Sequence, residues 1–418
     1  MALSILEDGI RTGLWKVRYS GRQSFKLHDD GGIDSNVVAE PDMGGLVHEG
    51  RDELSKIPQY NTLVYSMYGA PMVARHLGKP LRTIQGGGGP YSDWDYAIFP
   101  IIRQFRRAAS PFVFDEAVFE KSLSELEGFF DSDTVVLLYV APLYNFNSEI
   151  EEELKLQDDL KIRRTTENEM EGLMSKHSFY GPFPFFKVPR LKFSIELRVD
   201  SPKVLGEETP TVTPNPIEKF DKLVTALRLF KSGDVAIDII STSPEITEVP
   251  GLQESSVHRE SYLPTGHPYL LKNDEEAVFR SFWSVFKNVD LSKPASLSVS
   301  LRRFNFAYGR ALPVDKLLDL VIALEALLLK KGERLNVHTL AVRVARLHGR
   351  DFQERQTIFR QIQEIYSKRS GIVHGGSPSL TESLVSGTED RLRTCFKSIL
   401  DKLRTEQHDE ILSHLDLD

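Results

Sequence analysis

The stretch DFQERQTIFRQIQEIYSKRSGIVH, residues 351–374, decides how the C-terminal part of the chain folds. Its apolar side chains recur at intervals of three and four residues, which is the spacing of one face of an amphipathic helix. The members of this row are Phe359, Ile362, Tyr366, position 369 and Val373. Asp351 with Glu354 forms a capping box at the start, and Gly375 with Gly376 ends the run. The pattern therefore predicts a helix over 351–374.

Position 369 is an arginine in an otherwise apolar row. Because an unpaired buried guanidinium costs on the order of several kcal/mol, Arg369 needs a partner. A second helix, predicted over 313–331, has Glu325 in its own apolar row. That row consists of Val314, Leu318, Val321, Glu325 and Leu328. We therefore predict an Arg369–Glu325 ion pair, which either fixes only the register of the two helices or belongs to a functional site.

His374 lies five residues after Arg369, directly before the glycines that end the helix. This position is near the negative end of the helix dipole, which favours the imidazolium form. Five residues rotate a helix by about 500°, which leaves the two side chains about 140° apart. The two groups meet if the final turn loosens at Gly371 and Gly375, or if a second copy of the chain completes the site across a two-fold axis.

The rest of the chain divides into two halves of different character. Further helices are predicted at 274–289, 296–310, 336–348 and 388–405, with no strand among them. The N-terminal half mixes two helices, one over 114–130 and one that begins at Pro216, with strand patterns over 134–140, 191–199 and 235–240. The predicted fold class is α+β, an N-terminal mixed α/β domain followed by a C-terminal all-α helical bundle.

The domain boundaries follow from these patterns. We predict a poorly defined segment at 1–110, a mixed α/β domain with a sensing or regulatory role at 111–245, a linker at 246–273, the helical bundle at 274–405 and an acidic tail at 406–418. Within the first segment, the glycine run at 86–90 predicts a loop. It does not match a phosphate-binding loop, because no Gly-Lys-Ser/Thr follows it.

Composition narrows the class of protein further. A chain of 418 residues is long enough for two or three domains, and its net charge of −8 excludes a generally basic protein that coats nucleic acid. The single cysteine, Cys395, excludes a disulfide framework and a Cys-rich zinc site. The most apolar stretch, 317–329, contains two carboxylates and is too short to span a bilayer. We therefore expect a cytoplasmic protein with no membrane partner.

The charge of one segment opposes that of the whole chain. Between Lys330 and Gly375 there are ten Lys/Arg and four Asp/Glu residues. Such a local excess is typical of a site for a polyanionic substrate, although a solvated helix face has the same composition. The candidate substrate-binding residues in this segment are Arg343, Arg346, Arg350 and Arg360, and Lys368 lies beside Arg369.

Three segments of the predicted bundle resemble one known family. They are DKLLDLVIALEALLL at 315–329, LAVRVARLHG at 340–349 and YSKRSGIVHG at 366–375. Together they resemble the Apea-like branch of the HEPN superfamily, whose signature is an Arg, a polar residue and then a His after four to six intervening residues. Arg369, Ser370 and His374 fill those positions. The resemblance covers about 275–405, roughly a third of the chain.

The resemblance implies a helical bundle that pairs across a two-fold axis, with one Arg-x4-His motif from each copy in a shared cleft. Many members of the family are metal-independent endoribonucleases that act as toxins or antiviral-defence effectors, without a cofactor. On this basis Arg369 and His374 are the candidate catalytic residues, and Ser370, Glu325, Lys368 and Tyr366 are candidate supporting residues. Ser370 departs from the Asn, Asp or His that is more usual after the Arg, so its role stays open.

The expected reaction is attack by the RNA 2′-hydroxyl on the adjacent phosphorus. His374 then acts as general acid or base, and Arg369 stabilises the charged phosphate. Unpaired RNA is the expected substrate, since a duplex hides its base edges. Two other functions remain open. One is a non-catalytic module of the same fold that binds nucleotide, RNA or protein. The other is a small-molecule enzyme centred in residues 1–240.

Overall fold

The computed structural model describes residues 19–27, 33–41, 79–83, 86–90, 114–149, 153–166, 191–206, 215–246, 254–258, 266–330, 336–376 and 379–417, with a few isolated positions between these ranges. Two structural classes follow one another along this part of the chain. Antiparallel sheets and two helices lie in the N-terminal half, and a run of helices makes up the C-terminal part. The fold is therefore mixed α and β with a C-terminal helical region, as the sequence predicts at this level.

The described strands are β1 Tyr19–Leu27, β2 Ile33–Pro41, β3 Pro80–Thr83, β4 Gly86–Pro90, β5 Thr134–Pro142, β6 Phe146–Ser148, β7 Glu153–Lys155, β8 Leu160–Arg164, β9 Phe193–Pro202, β10 Val204–Leu205, β11 Ile239–Pro244, β12 Ser255–His258 and β13 Tyr269–Leu271. The largest sheet has six antiparallel strands in the order β12-β11-β5-β9-β8-β7. Shorter pairings join β1 to β2, β3 to β4 and β10, and β6 to β13, the last in parallel.

Two predictions about strands and loops need correction. The glycine run at 86–90 is strand β4 rather than a loop, because its ladder with β3 uses backbone groups, which glycine supplies as well as any residue. The strand predicted over 235–240 begins only at Ile239, and Ala236 makes an isolated bridge with Tyr144. The strand predicted over 191–199 is β9, in which the polar Glu196 is buried beside Arg163 Nε at 2.5 Å.

The helices follow the predicted pattern with corrected ends. They are α1 Glu116–Asp131, α2 Pro216–Phe230, α3 Glu276–Phe286, α4 Ala295–Tyr308, α5 Pro313–Leu328, α6 Val337–His348, α7 Phe352–Val373, α8 Glu382–Lys402 and α9 His408–Leu417. A 3-10 turn at Asn273–Glu275 precedes α3. None of the described helices is long and apolar enough to cross a membrane.

The segment predicted as an acidic tail forms helix α9. Ile411 and Leu412 are buried in the core, and His408 hydrogen-bonds the Leu327 carbonyl through Nε2 at 2.9 Å. The prediction missed this apolar face because the acidic residues Asp409, Glu410 and Asp416 alternate with it in the sequence. The prediction of a tail at 406–418 was therefore wrong for residues 408–417.

Helix α2 belongs to the predicted α/β domain, but it packs against the helical region as well as against the sheet. Its Leu223 and Leu227 lie in one continuous hydrophobic core with Ile195 of the sheet and with Phe279 and Phe396 of the helical region. The two halves therefore share a core.

A buried polar network joins the same elements. The Arg393 guanidinium donates to Glu389 Oε1 at 2.6 Å, to the hydroxyl of Tyr308 at 3.1 Å and to the Arg228 carbonyl of α2 at 2.7 Å. Lys316 is 2.8 Å from the other carboxylate oxygen of Glu389. Burial alone opposes the charge of Glu389, but Lys316 and Arg393 outweigh it and hold the pKa of this carboxyl below its usual range.

This network predicts unequal effects for two adjacent carboxylates. Both Glu389 and Asp390 pair with Arg393, but the Asp390 side chain is 64% exposed and that of Glu389 is 9% exposed. Glu389→Ala leaves a buried guanidinium without its main partner, so we expect it to lower the free energy of unfolding by about 3–5 kcal/mol. Asp390→Ala is the matched control and is expected to cost less than about 1 kcal/mol. Urea denaturation followed by circular dichroism measures both free energies of unfolding. Equal losses of stability in the two variants would contradict a stabilising role for the buried Glu389–Arg393 contact.

Candidate active site

Helix α7 positions the two candidate catalytic residues. Asp351 caps its start by accepting the Glu354 backbone N–H at 2.8 Å. At the other end, the Gly376 N–H donates to the Gly371 carbonyl at 2.8 Å and the Gly375 N–H donates to the Ile372 carbonyl at 3.1 Å. Gly375 has a φ of +81°, which a residue with a side chain rarely adopts. These are the two bonds of a Schellman motif, which explains why the glycines end the helix at this point.

The final turn of α7 does not loosen. His374 still donates its backbone N–H to the Ser370 carbonyl at 3.1 Å, so the helical rotation continues up to the last residue before the cap. Arg369 and His374 therefore project about 140° apart. The His374 side chain is exposed, and Arg369 points toward helix α5. Of the two geometries that the sequence leaves open, the one that brings both groups together within a single chain is absent.

Arg369 faces Glu325, as predicted, but the contact between them is loose. Arg369 Nη2 lies 3.8 Å from Glu325 Oε1, and the side chains are 24% and 17% exposed. Arg369 makes no hydrogen bond with any described residue, and its Nε is buried without a partner. The Tyr366 ring centre lies 5.5 Å from the guanidinium carbon, close enough for a cation–π contact. This guanidinium is largely shielded from water and has most of its donors unused.

Two further polar atoms beside Arg369 are unsatisfied. Glu325 Oε1 and the Tyr366 hydroxyl are buried, and neither makes a hydrogen bond with a residue that the structure describes. Burial, together with the negative charge of Glu325, raises the pKa of Tyr366 to about 12, so the phenol keeps its proton at physiological pH. Buried polar groups without partners are rare in folded proteins and mark places where a ligand or water completes the bonding.

Glu325 lies on a half-exposed apolar face of α5. The positions around it are Val314, Leu318, Ile322, Ala326 and Leu329, each half-buried. The fully buried face is centred instead on Leu317, Leu320, Leu324 and Leu327. The apolar row predicted for this helix therefore faces the core only in part, since Val321 and Leu328 are buried and Val314 and Leu318 are half-buried. The cause is that α5 is apolar on nearly every side, so the spacing does not identify the side that faces the core.

A groove of about 600 Å³ opens beside this face. Ile322, Glu325 and Leu329, Pro294 at the start of α4 and Asp409 of α9 are among the residues that line it. Glu325 therefore contributes to the groove and also pairs with Arg369. The half-exposed face and the groove are parts of the site that the sequence reasoning missed. The recurrence of apolar residues four apart, from 314 to 326, is the signal that marks this face.

Arg343 was predicted to bind substrate, and its position contradicts this. The side chain is 1% exposed, and its guanidinium donates to Asp416 at 2.8 Å, to Glu333 at 2.7 Å and to the Leu328 carbonyl at 2.6 Å. Hydrogen bonding to Arg343 lowers the pKa of Asp416 to about 2. Arg343 thus uses its donors to hold α9 against α5 and α6, and none is left for a substrate.

The other candidate residues are spread over the length of α6 and α7. Arg346 donates to the Leu415 carbonyl and helps to hold α9. Arg350 and Arg360 are exposed, but Arg360 lies 14 positions before His374, or about 21 Å along the helix axis. Lys368 and Ser370 are half-buried next to Arg369. One chain therefore does not gather the predicted basic residues around Arg369 and His374.

No group of three or more His, Cys, Asp or Glu side chains with the arrangement of a metal site occurs in the described ranges.

Cys395 is buried, and burial raises the pKa of its thiol to about 12, so it packs in the core rather than acting as a nucleophile.

Comparisons of the chain with family models, with curated proteins and with solved structures each find no match.

The roles of Arg343 and Arg350 are separable by substitution. We expect Arg343→Ala to lower the free energy of unfolding by more than about 2 kcal/mol, because Asp416, Glu333 and a carbonyl lose their shared donor. Arg350→Ala, the matched control on an 89% exposed side chain, is expected to cost less than about 0.5 kcal/mol. Thermal or urea unfolding checks both values. A stable Arg343→Ala protein would contradict the structural role.

Proposed function

We propose that this chain is a metal-independent endoribonuclease of the HEPN type that cleaves single-stranded RNA as a homodimer. One observation carries the proposal. Arg369 is mostly buried beside Glu325, yet it makes no hydrogen bond with any described residue. Its Nε is buried with no hydrogen-bond partner among the described residues, and desolvating a donor without a partner is costly. We therefore expect a ligand to bind Arg369, and a phosphate group suits it because its oxygens accept two parallel hydrogen bonds from one guanidinium.

Other buried arginines of the chain provide the comparison. Arg343 and Arg393 have their guanidinium groups engaged by carboxylates and carbonyls, so both serve the fold. Among the described residues, the one carboxylate paired with Arg369 is Glu325, at 3.8 Å, and the Tyr366 ring accepts no hydrogen bond from it. Glu325 balances its charge without occupying its donors. This arrangement supports a role for Arg369 in binding phosphate oxygens, while Glu325 and Tyr366 orient it.

The separation of Arg369 from His374 supports a site shared by two copies. Because the two side chains project about 140° apart on one helix, a complete Arg–His pair needs a second chain. The half-exposed apolar face of α5 that surrounds Glu325 is the surface we assign to this contact. Its residues are too buried for a solvent-facing helix side and too exposed for a core. Pairing through this face brings Arg369 and Glu325 close to the second copy.

The proposed reaction needs only the RNA and these side chains. The 2′-hydroxyl oxygen attacks the adjacent phosphorus, the P–O5′ bond breaks, and a 2′,3′-cyclic phosphate and a 5′-hydroxyl form. His374 either takes the proton from the 2′-hydroxyl or gives one to the departing O5′. Arg369 stabilises the charge that develops on the non-bridging oxygens. Ser370 and Lys368 lie next to Arg369 in sequence and supply further donors to the phosphate.

A ribonuclease of this type fits a toxin or an antiviral-defence effector in the cytoplasm, because uncontrolled RNA cleavage harms its host. We assign the sensing or regulatory role to the N-terminal α/β half. Its helix α2 contacts the helical region directly through Arg228 and the shared core, which gives a physical path for such control.

A non-catalytic module that binds RNA or nucleotide is the second candidate. The observation that favours it is the wide separation of His374 from Arg369 within one chain. In this function Arg369 binds phosphate, and His374 has no chemical role. The two candidates differ in what the loss of His374 does, since only a catalyst loses a reaction.

The catalytic proposal predicts cleavage of single-stranded RNA in the presence of EDTA, and no cleavage of DNA. Arg369→Ala and His374→Ala are each expected to lower the rate by about 10²- to 10⁴-fold. Arg302→Ala and His414→Ala are matched controls at exposed positions and keep the wild-type rate. Product analysis should find 2′,3′-cyclic phosphate ends. DNA cleavage, or loss of all activity in EDTA, contradicts the mechanism, and uncut RNA favours the binding module.

The shared site predicts that dimerisation and cleavage are lost together. Ile322→Asp places a charge in the middle of the half-exposed face of α5, so we expect a folded monomer without activity. Val278→Asp is the control, since Val278 is 59% exposed on α3, outside the proposed contact. Light scattering after size exclusion measures the mass, which should be twice that of the chain for wild type and control. A wild-type monomer that cleaves RNA contradicts the shared site.

A further inference from the structure

The outer side of α7 carries one row of residues along the whole helix. At about 100° per residue, seven side chains fall within an arc of about 80°. They are Phe352, Gln356, Arg360, Gln363, Ser367, Ser370 and His374. Ser370 is half-buried and the other six are exposed. We call this set the outer row. It begins at an aromatic ring and ends at the candidate catalytic histidine.

Phe352 is the unusual member of the outer row. Its side chain is 77% exposed, although it is the first residue of a well-ended helix. The helix start does not require a ring here, because Asp351 already makes the cap. A phenyl ring that remains in water gives up the stabilisation that burial provides, so its surface is available for a ligand.

Three exposed arginines lie within eight residues of this ring in sequence. Arg350 is 89% exposed and forms an ion pair with Glu354 at 3.6 Å, and Arg355 donates from Nε to the Gly349 carbonyl. Arg360 makes no ion pair or hydrogen bond with any described residue. The three carboxylates within 350–364 balance the three arginines in charge, but none of them belongs to the outer row, in which Arg360 is the one arginine.

We propose that the outer row binds single-stranded RNA and leads it to His374. In this inference, which rests on the proposed function, Phe352 stacks on an unpaired base and Arg360 binds a phosphate. Aromatic stacking combined with basic side chains is the general way in which proteins hold single strands without reading their sequence. Phe352 lies about 33 Å from His374 along the helix axis, so the bound strand extends well beyond the nucleotide that is cut.

The chemistry of the row favours RNA over a protein or a membrane surface. Between Phe352 and His374 the row has amides, hydroxyls and one arginine, and no exposed large apolar side chain. A protein contact or a lipid surface needs a larger apolar area around the ring. Glu364 is exposed beside the row and is the one carboxylate along its middle. It lies one turn after Arg360 and about 40° further round the helix, so it bounds the row on the edge that carries Arg360.

Binding is measured with an RNA 20-mer whose 2′-oxygens are methylated, because such a strand cannot be cleaved by its own 2′-hydroxyl. Fluorescence anisotropy of the labelled strand gives Kd for the full-length protein. Phe352→Ala is expected to raise Kd by about tenfold, as stacking on one base is worth ~1–3 kcal/mol, and Phe352→Trp is expected to preserve binding. Arg360→Ala should reduce the slope of log K against log salt concentration by about 0.7, the loss of one phosphate contact.

Two controls and a stability measurement make the result decisive. Phe306→Ala removes another exposed ring, 49% exposed on α4, and Arg302→Ala removes an arginine of the same helix. Both should bind as wild type does. Because Phe352 and Arg360 are exposed, their variants should unfold at the wild-type temperature. Unchanged Kd in the Phe352→Ala/Arg360→Ala double variant overturns the inference, as does equal weakening in the controls or an absence of RNA binding by the wild type.

Cleavage of unmodified RNA separates this inference from the proposed function. If the wild type binds the methylated strand through the outer row but does not cut unmodified RNA, the proposed nuclease function fails and the RNA-binding row stands. If the wild type cuts RNA while the double variant binds the methylated strand with wild-type affinity, the nuclease stands and the row fails.

Discussion

Buried guanidinium groups need partners, and this requirement organises the chain. Arg393 hydrogen-bonds Glu389, Tyr308 and the Arg228 carbonyl of α2, so the α/β half and the helical half meet at its guanidinium group. Arg343 does the same for α9, which it fastens to α5 and α6. In both places the donors are satisfied by carboxylates and carbonyls, which is the condition under which a buried charge is tolerated. Arg369 is the contrast, with its donors left unused.

The shared network changes how the N-terminal half is to be understood. From the sequence alone we predict a regulatory domain, a linker and a separate helical bundle. In space, α2 contributes to the core of the helical region, and the Arg228 carbonyl is one of the acceptors of Arg393. Removing the N-terminal half would expose apolar side chains of the bundle to water and would leave Arg393 without one of its hydrogen-bond acceptors. The regulatory role proposed for this half would therefore act through a packed interface rather than through a flexible tether.

The sequence predicts most of the helices because caps and apolar spacing are local signals. Asp351, Pro313 and Gly375 mark their helix ends correctly. The facing of α5 was not predictable, since a helix that is apolar all round does not reveal which side is buried. The burial of Arg343 also depends on Asp416, 73 positions away, and no local pattern connects the two. The Arg369–Glu325 pair was predictable because each charge interrupts an apolar row.

The looseness of that pair is itself informative. A carboxylate at 2.8 Å would make α5 and α7 more stable, as Asp416 does for Arg343, but it would also occupy the donors that a phosphate needs. At 3.8 Å, Glu325 neutralises Arg369 and leaves its hydrogen bonds unmade. The Schellman motif meanwhile fixes His374 on the opposite side of α7, where it cannot reach Arg369. In the proposed function, a phosphate and a second copy of the chain supply the partners that this arrangement lacks in one chain alone.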